Sequence, residues 1–394
     1  MTRLWDKGAP LDARVLRYTA GEDYALDERL VAYDVRASLA HAEMLHAQRL
    51  LSDEDLAALR AALETLGAEH ERGTWHIELE DEDGQTALER RLTARAGSAG
   101  ARIHLGRSRN DQLLTALRLY LRDAVAHLAA GARAGAQALR ALGSREADTP
   151  LPGYTHMQQA MPSSVRLWAE GFAAELDDDA VGLLAVQRRL GKSPLGSAAG
   201  YGTPGLPIDR EATRARLGFE TVHEPVTAVQ LSRGKAEAQL LCELALLQQD
   251  LSRFAADVLL FATSEFGFVT LAEAFTTGSS IMPQKRNPDL FELLRARAAT
   301  AQACLAEALA VCAKLPSGYQ RDLQLIKFPL FRAIDLAGDS LAILPDAVAA
   351  LAFRRDAIRL EPAIHAAEEA NRLVVSEGLP FREAYRRVAA KLKK

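Results

Sequence analysis

The chain has 394 residues, 48% of them hydrophobic and 25% charged, which is room for two or three domains at the composition of ordinary globular proteins. That balance excludes a disordered or collagen-like chain. Forty-eight Lys and Arg against 52 Asp and Glu, with no polybasic tract, exclude the electrostatic footprint of a nucleic-acid binder while leaving room for a small anionic ligand.

Along the chain, Met1 to Pro10 is polar and charged, and no apolar run reaches membrane-spanning length, so a cytoplasmic protein is expected. Cys242, Cys304 and Cys312 form no CxxC pair and lie in apolar helix-like runs, which points to a reducing compartment. None of the 15 prolines falls between Pro10 and Pro150 or between Pro225 and Pro283, so two long stretches carry no obligatory helix breaker. Ser52 with Asp55 predicts a capping box. The acidic run Glu78 to Asp83 lacks EF-hand spacing and is expected to be a solvated loop. Leu114, Leu117, Leu121, Val125 and Leu128 recur at three and four residues, the period of one buried helical face, and no alternation of period two competes with it.

Long helices are predicted over 108–142, 163–190, 226–265, 289–314 and 325–351. Helices of that length fold compactly only side by side, so the expected fold is all-α, a long-helix bundle with smaller helical regions at both ends. The expected segments are an N-terminal helical domain 1–104, a central bundle 105–350 and a short helical region 351–394. Glycine and proline cluster between the helices at 150–162, 191–207, 275–288 and 315–319, and loops that long inside a helical protein tend to carry function.

Three of these places hold chemistry-bearing side chains. Gly106-Arg107-Ser108-Arg109-Asn110-Asp111-Gln112 opens the first long helix; Ser108 or Asn110 suits its cap, and the two arginines suit a carboxylate clamp. Pro152-Gly153-Tyr154-Thr155-His156-Met157-Gln158-Gln159 holds the one histidine placed in a Gly and Pro bounded loop beside a hydroxyl, where an imidazole can act as acid, base or donor. Gly278-Ser279-Ser280-Ile281-Met282-Pro283-Gln284-Lys285-Arg286-Asn287-Pro288 is a glycine-hinged loop with two hydroxyls and a cation, ending at a helix N-terminus whose dipole favours a carboxylate. Asn287-Pro288-Asp289 reads as N-cap, N1 and acidic first turn. A fourth segment, Tyr319, Gln324 and Lys327, has a similar mixture of donors. Gly191-Lys192-Ser193 is not a P-loop, since Val186 occupies the upstream glycine position, and with no HExxH present metal chemistry is not expected.

Taken together, residues 106–112, 152–162 and 278–289 resemble the aspartase/fumarase superfamily, with further support from 29–44, 194–200, 319–324 and 378–384. The resemblance spans most of the chain and implies an all-α enzyme that eliminates fumarate from a succinyl adduct through a dianionic aci-carboxylate, with no metal or organic cofactor. It implies Ser279 as the catalytic base, Lys285 and Asn287 as stabilisers of the aci-carboxylate, His156 as the acid-side group and Glu292 as the carboxylate that orients it. Ser108, Arg109, Asn110, Thr155, Tyr319, Gln324 and Lys327 match the family's substrate contacts.

Several positions depart from the family pattern. Gln85 stands where a histidine is usual, Gly21 where a serine is usual, and 225–235 keeps only Arg233 of a polar stretch. Leu325-Ile326 replaces an acidic pair, and the chain stops soon after Ala384. The alternatives are a sister carbon-nitrogen lyase with another adduct, and a silent crystallin-like structural protein. The motifs stand near the starts of different long helices about 45 and 125 residues apart, and starts alternate between the ends of an antiparallel bundle. A homotetramer with shared sites is therefore expected, as the resemblance also implies, with 226–265 as the core of the assembly.

Overall fold

The computed structural model describes residues 11–392; the polar segment Met1 to Pro10 lies outside them. The chain is all-α, with helices α1 (Val31–Ala47), α2 (Asp53–Glu71), α3 (Gly84–Ala96) and α4 (Arg109–Arg145) preceding a β-hairpin, β1 (Pro150–Thr155) and β2 (Gln158–Ser164). There follow α5 (Val165–Ala185), α6 (Lys235–Phe261), α7 (Asp289–Cys312), α8 (Lys327–Ala349), α9 (Ala366–Glu377) and α10 (Phe381–Leu392). The other strands are two- and three-residue pairs, Lys192–Ser193 with Thr221–Val222 and Val269–Leu271 with Leu351–Phe353. Among the described residues no helix is long and apolar enough to cross a membrane.

Four of the five long helices, α4, α5, α7 and α8, lie within five residues of the stretches expected from the sequence, whereas α6 starts at Lys235 and not at 226, since a short helical turn over Ala228–Leu231 and Gly234 at φ +81° interrupt that stretch. Leu114, Leu117, Leu121, Val125 and Leu128 are all buried, so the three-four repeat does mark the inward face of α4. Ser52 and Asp55 form the expected capping box, each side chain accepting from the other's backbone N–H. Two local readings are corrected. The Pro150 to Pro162 cluster is a hairpin and not a loop: in a two-stranded ribbon the outward N–H groups need no partner, so proline is tolerated there. The helix after the serine loop starts at Asp289 as expected, but Pro288 and not Asn287 takes the cap position, because the Pro288 carbonyl accepts from Phe291 N at 3.0 Å and Glu292 N at 3.3 Å while the Asn287 side-chain amide turns back to Gly278 O at 3.2 Å.

Contacts group the chain into two units. One comprises the chain up to Leu128 with 182–244 and 301–335; the other comprises 129–181, 245–300 and 336–394. This grouping differs from the divisions at 104 and 350, because each of α4 to α8 contributes one part to each unit. In the first unit α1, α2 and α3 enclose a core in which Leu45, Leu59, Leu63, Leu88, Leu92 and Ile103 are buried to 2% exposure or less. Burial of side chains that size stabilises by roughly 1.5–3 kcal/mol each before entropy is counted. In the second unit an aromatic cluster forms about Trp168, whose ring lies 5.5 Å from Phe254 and 5.9 Å from Phe261, and whose indole N–H donates to Asp257 at 2.9 Å. Gly135 lets α4 approach α8 there: a Cβ on it would lie 2.5 Å from Leu344 Cδ2.

Candidate active site

In the first unit the candidate residues begin where α4 does. Ser108 caps the helix, its Oγ accepting from Asn110 N at 3.3 Å while its own N–H donates to Asp111 at 2.8 Å. The other Asp111 oxygen accepts from Gly196 N at 3.0 Å and Ala198 N at 2.8 Å, so one carboxylate clasps the 194–200 loop to the head of α4. Burial pushes that carboxyl up to about 6 even though these N–H groups and Arg107 favour its charge. The two arginines part company. Arg109 meets Asp83 at 2.7 Å, whereas Arg107 is buried, donates to Ser38 Oγ at 2.9 Å and answers the charge of Asp34. The expected two-arginine clamp is therefore a single arginine, because Arg107 serves the interior.

Arg109 and Asn110 line a small cavity of about 90 Å³ together with Tyr319, Gln324, Asp23 and Asp83. Arg321, Glu82 and Gln85 complete its wall. The acidic run is thus not a solvated loop. Asp81 and Glu82 are buried; Asp81 pairs with Arg90 at 2.9 Å and Arg91 at 3.2 Å, and Asp83 caps α3 through Thr86 N at 2.8 Å. Gln85 is buried with its Nε2 unpartnered. Gly21 ends a short helix with φ +53°, and Gln324 reaches the same corner, donating to Thr19 O at 3.0 Å and Ala20 O at 3.1 Å. Tyr319 lies under the Arg233 guanidinium, 5.4 Å away. Arg233 is buried with Nε and Nη1 unpartnered, an arrangement suited to an anion.

Lys327 is 1% exposed at its side chain, its ammonium 2.6 Å from Asp27 and 2.8 Å from Asp23. These two carboxylates raise its pKa against the cost of burial, and burial raises that of Asp23 even beside the lysine. Nothing in the sequence around Asp23 and Asp27 marked them as partners of a residue some 300 positions away; the alternating acid and aliphatic residues of that segment look like solvated helix.

In the second unit the serine loop is closed at its base. Thr277 and Asn287 exchange backbone hydrogen bonds at 3.0 and 2.8 Å, so residues 278–286 form a noose with fixed ends. Inside it the Ser279 Oγ accepts from Ile281 N at 3.3 Å and Met282 N at 3.2 Å. Two N–H groups aimed at that oxygen favour its alkoxide, which a serine base requires. Lys285 is exposed. His156 stands at the tip of the β1–β2 hairpin, where it and Met157 have φ of +51° and +62°. Left-handed backbone at two successive side-chain-bearing residues costs about 1–2 kcal/mol each and recurs at functional turns. Thr155, His156 and Glu292 are exposed, and neither the His156 nor the Glu292 side chain makes a hydrogen bond or ion pair with the described residues.

The chain is a helical carbon-nitrogen lyase. The family model described as Lyase matches residues 12–303, and the chain belongs to that family. Within it the chain is similar to argininosuccinate lyases: it is 50% identical to that of Sorangium cellulosum (strain So ce56) over 99% of this chain and 90% of the relative. It is 42% identical to that of Stenotrophomonas maltophilia (strain R551-3), over 98% of this chain and 90% of the relative. Among solved structures the fold is shared with EDDS lyase in complex with formate, at a TM-score of 0.81 and 24% identity over 97% of this chain and 76% of that one. A class II fumarase from Schistosoma mansoni gives a TM-score of 0.80 at 19% identity, over 98% of this chain and 91% of that one.

Proposed function

We propose that the chain is an argininosuccinate lyase, a carbon-nitrogen lyase that eliminates fumarate from argininosuccinate to give arginine, in arginine biosynthesis. The single observation that carries the reading is the 50% identity over nearly the whole chain to a relative of that name. The carboxylates Asp23, Glu82 and Asp83 in one cavity suit a substrate that ends in a guanidinium, and Arg233 with its free nitrogens suits a substrate carboxylate.

In this reading Ser279 removes a proton next to a carboxylate, and the charge that develops on the aci-carboxylate is met by Lys285 and Asn287. His156 serves the departing nitrogen, directly or through water, and Glu292 orients the imidazole. Ser108, Arg109, Asn110, Thr155, Tyr319 and Gln324 bind and place the substrate, and Lys327, buried between Asp23 and Asp27, serves it by holding Asp23 at the cavity wall. The enzyme is a cytoplasmic homotetramer in which each site draws motifs from different chains. The His156 and Glu292 side chains, both exposed and unpaired among the described residues, support sharing, because each lacks the partner its role requires.

The activity is tested by following fumarate absorbance with argininosuccinate, adenylosuccinate and aspartate in parallel. Turnover of argininosuccinate alone is expected; turnover only of another adduct would favour a sister lyase, and none with any substrate a crystallin-like role. Sharing is tested by mixing inactive Ser279→Ala and His156→Asn chains after brief dissociation. Recovered activity is expected, and no recovery from proven mixed tetramers, or a monomeric active enzyme, would defeat it.

A further inference from the structure

Five basic side chains surround a cavity of about 300 Å³ in the first unit: Arg118 from α4, Arg189 and Lys192 after α5, His223, and Lys235 at the head of α6. No carboxylate lines it. Acids on the neighbouring segments are engaged or set back: Glu224 holds Arg210 at 2.6 Å, Glu220 lies against Gly191, and Glu237 is buried and offers Arg118 a Coulombic attraction with no direct hydrogen bond. Elsewhere on the surface cations sit beside acids, as Arg60 does with Glu43 and Arg387 with Glu377. Lys192 and Lys235 are exposed yet have no ion pair among the described residues. Like charges gathered without counter-charge oppose folding, and an anion between them removes that cost.

The geometry is prepared as well as the charge. Arg118 is 3% exposed and held by Lys192 O, by His223 Nδ1 at 3.1 Å and by Ser232 Oγ at 2.9 Å, while its buried Nε has no partner. Arg189 is fixed by Gln239 at 2.7 Å, which leaves its terminal nitrogens unspent. Since an arginine only donates, His223 Nδ1 accepts and Nε2 carries the ring proton. Burial, then the charges of Arg118, Lys192, Arg210 and Lys235, push this imidazole down to about 4, so it is a neutral donor.

We propose that this cavity binds a small multivalent oxyanion, a phosphate ester or a polycarboxylate, with Arg118, Arg189, Lys192 and Lys235 supplying charge and the His223 Nε2–H a directed hydrogen bond. Two or more negative charges are required, since a single carboxylate leaves most of the cations unanswered. The site does not rest on the lyase reading, because none of these residues belongs to the motifs that carry it.

The test is calorimetric titration of the full-length protein with sodium pyrophosphate and, separately, with citrate, in low-chloride buffer. Saturable binding of one anion per chain is expected for at least one probe, and acetate at matched ionic strength should not displace it. The tighter probe distinguishes a phosphoryl from a carboxylate source. The exposed pair Lys192→Gln/Lys235→Gln, and independently Arg189→Gln, should each weaken binding by roughly tenfold or more, as loss of charge-assisted contacts does. Lys285→Gln should leave it unchanged. Absence of binding by both probes, wild-type affinity in the lysine pair and in Arg189→Gln, or loss in Lys285→Gln would overturn the assignment.

Discussion

The ammonium of Lys327 lies 2.6 Å from the Asp27 carboxylate, with both side chains at 1% exposure or less. A buried ion pair depends on its own partners, and Asp23 at 2.8 Å is the third member. Lys327 therefore fixes the start of α8 against the 23–27 segment before it can serve any substrate. Lys327→Met should cost about 3–5 kcal/mol in denaturant unfolding, since it leaves two carboxylates buried without a cation. A stability within 1 kcal/mol of wild type, whatever happened to turnover, would show that the pair is not formed.

Ser279→Ala should behave in the opposite way. Its hydroxyl belongs to the exposed noose and supports only Ile281 N and Met282 N, so unfolding should shift by less than ~0.5 kcal/mol. Turnover should fall by at least ~1000-fold, because a positioned base contributes both proton transfer and alignment. Near-normal fumarate release from the variant would remove Ser279 from the chemistry.

His156→Asn and Glu292→Gln separate two roles. If Glu292 only orients the ring, its amide keeps one hydrogen bond and the loss is milder than that of the histidine. Comparable losses in steady-state kcat would instead place Glu292 in the proton transfer itself.

A pH effect follows from His41. It is fully buried, its Nε2 lies 2.8 Å from Leu105 O, and its Nδ1 has no partner. Burial and then Arg107 push the ring down to about 3 from an ordinary 6.5. The unfolded chain therefore binds the extra proton first, and the stability tied to the neutral ring is present above pH 6.5 and lost as pH falls towards 3. Between pH 7 and 5 wild type should lose about 2 kcal/mol more than His41→Gln, in which glutamine keeps a donor to Leu105. Chemical denaturation at the two pH values measures the difference; parallel losses in both proteins would contradict it.

The long helices were legible because their evidence is periodic: Leu114, Leu117, Leu121, Val125 and Leu128 repeat one statement about one face, and the prolines stand outside. The motif loops were legible through their side-chain types. The hairpin was not, since β1 and β2 carry prolines and no alternation, and their pairing depends on a turn that bends at His156 and Met157 against steric preference. The burial of Asp81 and Glu82 was hidden for another reason. A charged run looks solvated until Arg90, Arg91 and Arg109, from other parts of the chain, are seen to answer it. Arg107 and Arg109 are two residues apart and identical in type, and only the packing of Ser38 and Asp34 beneath the first decides which faces the cavity.

The interleaving of the two units bears on how the chain comes off the ribosome. Residues up to Leu128 cannot complete their unit until 301–335 have been made, a wait of roughly 10–40 s at ordinary elongation rates of about 5–20 residues per second. The α1–α3 core is drawn almost wholly from one contiguous stretch, Val31 to Ile103, and can close during that interval. The buried leucines Leu114, Leu117 and Leu121 of α4 lie outside that core cluster and belong to a unit whose last segment, 301–335, is made long after them.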